Sequence, residues 1–346
     1  MKPYNTVRFK GGAVSFLVHR KSLRITLLLL LACIAAAIIS TGLGEMVISP
    51  LNVIRSLFGM GAEDHTMVIQ KIRLPRIIVA MLVGASLAAA GAILQGIIRN
   101  PLASPDIIGV TGGASVGAVT FLTYFLGTFS IRWLPVAAML GAAVVSVILY
   151  VLAWKKGVTP VRLVLVGVGM AALMSAATTM MIVFSPTNDP AQVYLWLTGS
   201  VYASNWENVL TVLPWTAVLL PLVFLMARHV NIGQLGDDLA ANAGSAVERN
   251  RLLLLLISVA LAGSAVSVAG GIGFVGLIAP HMARKLVGSS FENVLPVSAL
   301  LGGTVVVLAD LVGRTLFLPL DIPVGVFTSA VGAPFFIYLL YTKRNS

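Results

Sequence analysis

The residues best placed to do chemistry lie in a few short polar stretches of an otherwise apolar chain. The segment Gln70-Lys71-Ile72-Arg73-Leu74-Pro75-Arg76 sets three cations within six residues, two of them flanking a proline. One arginine at a lipid interface is a snorkelling anchor. Three together predict a surface that meets an acidic partner. Asp310 lies in an apolar run with Arg314 one turn on. An intramembrane carboxylate is a functional candidate, and the plain alternative is an i,i+4 ion pair. Other chemistry is not readable. The histidines (His19, His65, His229, His281) are scattered without metal-ligand spacing, and His281 after Pro280 reads as a packed helix residue. No Ser/His/Asp or Cys/His set stands out, and Cys33 alone cannot form an internal disulfide. No G-x-x-x-x-G-K-[ST] run occurs, so the chain does not bind ATP through a P-loop. The sequence therefore predicts no enzyme, no cofactor and no metal site.

These residues must be positioned by elements suited to lipid. The chain has 346 residues, of which 58% are hydrophobic and 10% charged, with a mean hydropathy of +0.98. Soluble domains carry about a quarter charged residues. A membrane span needs roughly 20 apolar residues, with every backbone polar group bonded internally. Long unalternating runs such as Ile77–Ile98 exclude barrel strands. The pattern predicts an all-α integral membrane bundle of about ten helices, over residues 25–43, 77–98, 107–126, 134–154, 160–184, 209–227, 252–270, 272–287, 294–313 and 323–341. Residues 1–24 read as a polar arm ahead of a first span that is retained rather than cleaved. Residues 25–341 form one transmembrane domain and 342–346 a tail. Residues 190–203 read as a short helix at the interface, with Tyr194, Trp196 and Tyr202 in the headgroup belt.

Ten spans put both termini on one side. That side then takes 17 of the 23 Lys and Arg, so both termini are expected in the cytoplasm. The net charge of +11 is read as loop charge that sets orientation, not as a nucleic-acid footprint. Within lipid, helices associate through close approach and polar links. Gly109, Gly113 and Gly117 share a face, Gly84, Ala88 and Gly91 another, and Gly167 with Ser175 and Thr179 a third. These faces predict tight packing. Where one lined a path instead, Gln95, Thr178 and Thr179 would be its polar lining.

Two cytoplasmic segments carry more. Residues 231–251 open a short helix at Leu235-Gly236, with Asp237 and Asp238 in its first turn. Ala240 continues the helix and Gly244 ends it. This is a connector or a docking helix. In Asn100-Pro101-Leu102-Ala103-Ser104-Pro105-Asp106, two prolines enforce a non-helical turn.

Together these segments resemble one family, the FecCD or BtuC-like permeases of ABC importers for iron–siderophore complexes and cobalamin. The matches run in order: Ile72 to Arg76; Gly91 to Gln95, then Arg99 to Pro105; Ile108-Gly109; Leu235-Gly236-Asp237 with Gly244; Gly273 to Leu277 with Ala279-Pro280-His281; Ala309-Asp310 with Arg314; and Pro323-Val324-Gly325 with Gly332-Ala333-Pro334. The resemblance implies a type II importer fold in the bacterial plasma membrane, paired with a second permease subunit; a paralogue is preferred, with an identical copy as the alternative. It implies an extracytoplasmic siderophore-binding protein docking on Arg73, Arg76 and Arg314. It also implies a cytoplasmic ATP-binding subunit gripping Leu235, Gly236, Asp237, Asp238, Ala240 and Gly244. Gln95, Asn100, Pro101 and Thr159 fall on the implied path or its gate, although the Gly157–Thr159 loop has fewer hydroxyls than the family pattern. Alternatives are a cobalamin or haem importer of the same family, or an ion-gradient-driven transporter. The last normally needs paired carboxylates near the midplane, which these spans lack.

Overall fold

The computed structural model describes residues 4–8, 15–125, 128–155, 157–185, 190–317 and 319–344. The N-terminal arm holds an antiparallel ribbon, β1 (Tyr4–Arg8) against β2 (Ser15–His19), with Tyr4 opposite His19. The helices follow: α1 (Arg20–Gly42), α2 (Pro50–Leu57), α3 (Glu63–Met67), α4 (Leu74–Ile98), α5 (Val110–Thr120), α6 (Leu134–Ala153), α7 (Pro160–Val183), α8 (Pro190–Thr198), α9 (Trp206–Leu225), α10 (Ala227–Gly233), α11 (Asp237–Asn242), α12 (Val247–Ala269), α13 (Val275–Val287), α14 (Phe291–Thr315) and α15 (Val324–Arg344).

Among the described residues, seven helices are long and apolar enough to cross a membrane, α4 counting together with the turns before it. Val110–Phe125 and Val324–Tyr338 are shorter apolar helices. With the 13-residue α13 they stand where the remaining three spans are expected. The expected turn before α13 is at Gly270, whose φ of 68° is left-handed. The expected interfacial helix is α8.

Three local readings change. The polar segment 70–76 is not a loop. Helix runs through it, with a wide π-type turn at Val68–Arg73 feeding α4. Amphipathic α2 and the short polar α3 fill the stretch between the first two spans, which the apolar pattern left unassigned. The third helix starts at Val110, because the two prolines hold residues 99–109 in turns.

Burial separates a centre from a shell. The most apolar window of α4 is 78% buried, against 72% for α12, 61% for α14 and 11% for α1. α4 packs on α14, α12, α13 and α9, while α5, α6 and α7 pack on one another to form a lateral group. The shell turns large apolar side chains outward, as in Leu28, Leu31, Val147 and Val151, which suits lipid contact.

Backbone contact fixes the centre. A Cβ on Gly84 would fall 2.2 Å from the Gly302 carbonyl oxygen, and one on Gly91 1.8 Å from that of Gly276. α4 thus meets α14 and α13 at distances only glycine permits, the expected route to helix association in lipid. Gly91→Val should cost about 1–3 kcal/mol or more through overpacking. Gly169→Val, on an open face of α7 with nothing within 4 Å, should be near neutral. Thermal unfolding in detergent checks this; equal Tm values for the two variants would contradict the packing.

Candidate functional site

Two polar clusters mark opposite ends of the bundle. At the end where α1 stops, the structure brings together the three arginines singled out in the sequence, each held from within. Arg73, 9% exposed, donates through Nη1 to the carbonyls of Thr41 (2.8 Å) and Gly42 (3.2 Å), and through Nη2 to that of Met46 (2.7 Å). Arg314 donates to the Leu43 carbonyl at 2.6 Å, to Ser40 Oγ at 2.7 Å and to the Ser40 carbonyl. A helix ends with carbonyls that have no intrahelical partner, and in lipid an orphan carbonyl costs several kcal/mol. Arg73 and Arg314 satisfy those of α1. Cations at a helix C-terminus also complement its dipole.

Arg76 is the third member. Its Nε and Nη2 reach Asp310 Oδ1 at 2.9 and 2.7 Å. Its Nη1 and Nη2 reach the two Asp321 oxygens at 2.7 and 2.8 Å, a bidentate pair. Asp310, 1% exposed, also faces Arg314 Nε at 3.4 Å, so the expected i,i+4 pair is present beside a stronger partner from α4. The Arg76 guanidinium lies 5.5 Å from the Tyr202 ring centroid. A cavity of about 670 Å³ opens beside the cluster, lined by Glu45, Arg73, Arg76, Tyr202, Arg314 and Asp321 among others. The arginines line its wall rather than projecting as free cations; Lys71 stays exposed.

At the opposite end, α11 forms where the sequence places it, with Gly236 before it and Gly244 after it, both at positive φ. Leu235 and Leu239 point outward, 65% and 58% exposed; Asp238 and Gly244 are exposed and Ala240 is buried. Asp237 turns inward to Arg251, whose Nη2 meets Oδ1 and Oδ2 at 2.8 and 2.9 Å, and to Arg99. Arg99 Nε also donates to the Gly233 carbonyl at 2.8 Å. Burial pushes the Asp237 carboxyl up, but the hydrogen bonds from Arg251 and Arg99 outweigh it and hold the group below its ordinary value. Asp237 therefore stays ionised throughout the neutral range.

The residues assigned to a path or gate each make hydrogen bonds or turns of their own. Gln95, 4% exposed, is spent between helices: its Nε2 donates to the Gly276 and Leu277 carbonyls at 3.3 Å each, and its Oε1 accepts from Arg284. Asn100 Oδ1 accepts from the Leu102 N–H at 2.9 Å, shaping the turn that contains Pro101. Thr159 caps α7, its Oγ1 accepting from the Arg162 N–H at 3.4 Å. His281 lies edge-on to Phe335 at 5.9 Å. Sequence reasoning missed Arg99, Glu248, Arg251 and Asp321. Only the i,i+3 spacing of Glu248 and Arg251 hinted at any of them.

The model of the FecCD transport family matches residues 29–342. Two relatives are similar over nearly their whole length. The achromobactin transport system permease protein CbrC of Dickeya dadantii (strain 3937) is 49% identical, over 93% of this chain and 92% of CbrC. The iron(3+)-hydroxamate import system permease protein FhuG of Bacillus subtilis (strain 168) is 44% identical, over 87% of this chain and 92% of FhuG. A solved structure described as an inward-facing conformation of a metal-chelate type ABC transporter superposes with a TM-score of 0.83. It is 32% identical, and the match covers 92% of this chain and 99% of that one.

Removing one partner of a buried charge pair costs about 3–5 kcal/mol. Asp310→Ala leaves Arg76 and Arg314 short of a buried anion and should lose stability on that scale. Asp321, 22% exposed, should cost clearly less when changed to Ala. Chemical unfolding in detergent separates the two, and a larger loss at Asp321 would contradict the assignment of Asp310 as the keystone.

Proposed function

The chain belongs to the FecCD transport family, and from that premise we propose that it is the permease subunit of an ABC importer that carries a ferric chelate across the bacterial plasma membrane. It is a multi-pass membrane protein of a transport family, not an enzyme. The observation that carries the reading is the shared shape over 99% of a metal-chelate transporter chain. The cargo class is supported by the names of relatives, FhuG among them. Iron arriving inside a chelator would need no ligands from the permease.

The sequence holds no P-loop, so ATP hydrolysis belongs to a separate subunit. Leu235 and Leu239 give α11 an apolar face outside the bundle, and aliphatic anchors rimmed by polar residues suit a protein partner. In this reading α11 docks the ATPase in the cytoplasm, and the basic-residue asymmetry keeps both termini on that side. The opposite end receives a siderophore-binding protein at the rim set by Arg73, Arg76 and Arg314, whose cavity its acidic side chains would enter. A second permease subunit completes the assembly. Mechanical coupling then needs two packed states of similar energy, a rigid-body switch.

Reconstituted into vesicles with its ATPase, partner permease and binding protein, the chain should take up the ferric chelate only while ATP is hydrolysed, and vanadate should stop uptake. Uptake driven by a proton or sodium gradient alone would overturn the proposal. Leu235→Glu with Leu239→Glu should weaken capture of the ATPase by at least about tenfold, as loss of two interface anchors does. Undiminished capture would remove α11 from the interface.

A further inference from the structure

Between α6 and α7 the chain turns back in a tight hairpin, with a bridge between Trp154 and Val158 and the Lys155 N–H donating to the Gly157 carbonyl at 3.1 Å. Arg162 in the first turn of α7 donates to the Ala153 and Gly157 carbonyls at 3.1 and 3.3 Å. Hairpin and helix start therefore form one piece at the end of the lateral α5–α6–α7 group. What grips this piece comes from α12. The Val158 N–H donates to Glu248 Oε2 at 3.2 Å, and its carbonyl accepts from Arg251 Nη1. The same Nη1 meets Glu248 Oε1 at 3.1 Å. An Arg–Glu pair thus holds both backbone groups of one residue, as a neighbouring strand would. Gly157 leaves room for it: its φ is 109°, and a Cβ there would sit 3.0 Å from Glu248 Oε1.

The other arm of Arg251 holds Asp237 of α11 bidentately. Among the described residues, Arg251 is the side chain hydrogen-bonded to both α11 and the hairpin. The guanidinium is 5% exposed, while its carboxylate partners Asp237 and Glu248 are 39% and 44% exposed, so the arginine end of the link is fixed inside the protein and the carboxylate ends face the surface. A planar guanidinium holds its donors in one rigid frame, which the single ammonium of lysine cannot reproduce. We infer that Arg251 is a positioning residue that transmits displacement of α11 to the α6–α7 hairpin, and through it to the lateral helix group. The inference rests on the reading of α11 as the ATPase dock. It adds the route by which the bundle feels that partner, a physical linkage rather than spatial proximity alone.

The test uses the assembled importer in lipid nanodiscs, with Cys33→Ser as background. One reporter is Lys155→Cys on the hairpin and the other is Asn242→Cys on α11, both exposed positions. Alkylation rates are measured with and without vanadate-trapped nucleotide. With Arg251 intact, trapping should change the rate at both reporters. Arg251→Lys should leave the change at Asn242→Cys and bring the ratio at Lys155→Cys to within about twofold of one, because coupling energies of this kind are worth factors of several. A purely structural role would lower assembly or Tm without separating the reporters. Glu248→Gln, which weakens the grip on Val158 and the pair with Arg251 but leaves the Arg251–Asp237 bonds in place, should give an intermediate ratio and serves if Arg251→Lys fails to assemble. An unchanged ratio at Lys155→Cys in the altered complexes overturns the inference while the proposed function stands. No nucleotide effect at Asn242→Cys with Arg251 intact overturns the dock, and the inference with it.

Discussion

Backbone contact at glycine is the constraint on which this bundle depends. Lipid offers helices no hydrophobic reason to associate, so attraction must come from atoms brought unusually close. α4 supplies such contacts on two sides, to α14 at Gly84–Gly302 and to α13 at Gly91–Gly276. Its centrality follows from them, and α12 and α9 lean on the same helix. Ser86 Oγ and Thr216 Oγ1, 2.8 Å apart, join α4 to α9 by a polar link of the kind that helps lock helices in lipid.

Where helices end, the problem reverses. Their last carbonyls need donors, and at the end of α1 two arginines provide them. Arg314 also lies 3.4 Å from Asp310, and the third arginine, Arg76, pairs with both Asp310 and Asp321. The opposite end uses the same chemistry differently. There Arg251 and Arg99 bind Asp237 of a short, outward-facing helix, and Arg251 also pairs with Glu248 of its own helix α12. A centre closed by backbone contact and margins tied by guanidinium groups suit a body that moves in large pieces.

The fold was legible because lipid leaves few options. A run such as Ile77–Ile98 can only be a span, and the charge asymmetry then orders the spans. α11 was legible too, since Gly236, the acidic first turn and Gly244 are local signals. The environment of the arginines was not. An apolar-run criterion stops at Lys71 and Arg73, so it ends the helix where α4 and its lead-in turn continue. What these guanidinium groups bond to lies far along the chain: the Thr41 and Gly42 carbonyls for Arg73, the Asp310 and Asp321 carboxylates for Arg76. Pairings at such separations leave no local spacing to read. The partners of Gln95 were hidden for the same reason, because Gly276 and Arg284 sit on another helix.

Glycine contacts to α13 and α14 should make the middle of α4 part of one rigid body while the margins of the bundle shift. Amide hydrogen exchange on the assembled importer, compared with and without trapped nucleotide, tests it most directly. Slow exchange along residues 80–96 in both states, with changes confined to the margins such as 157–162 and 231–246, is the predicted result. Nucleotide-dependent deprotection running through the middle of α4 would contradict it.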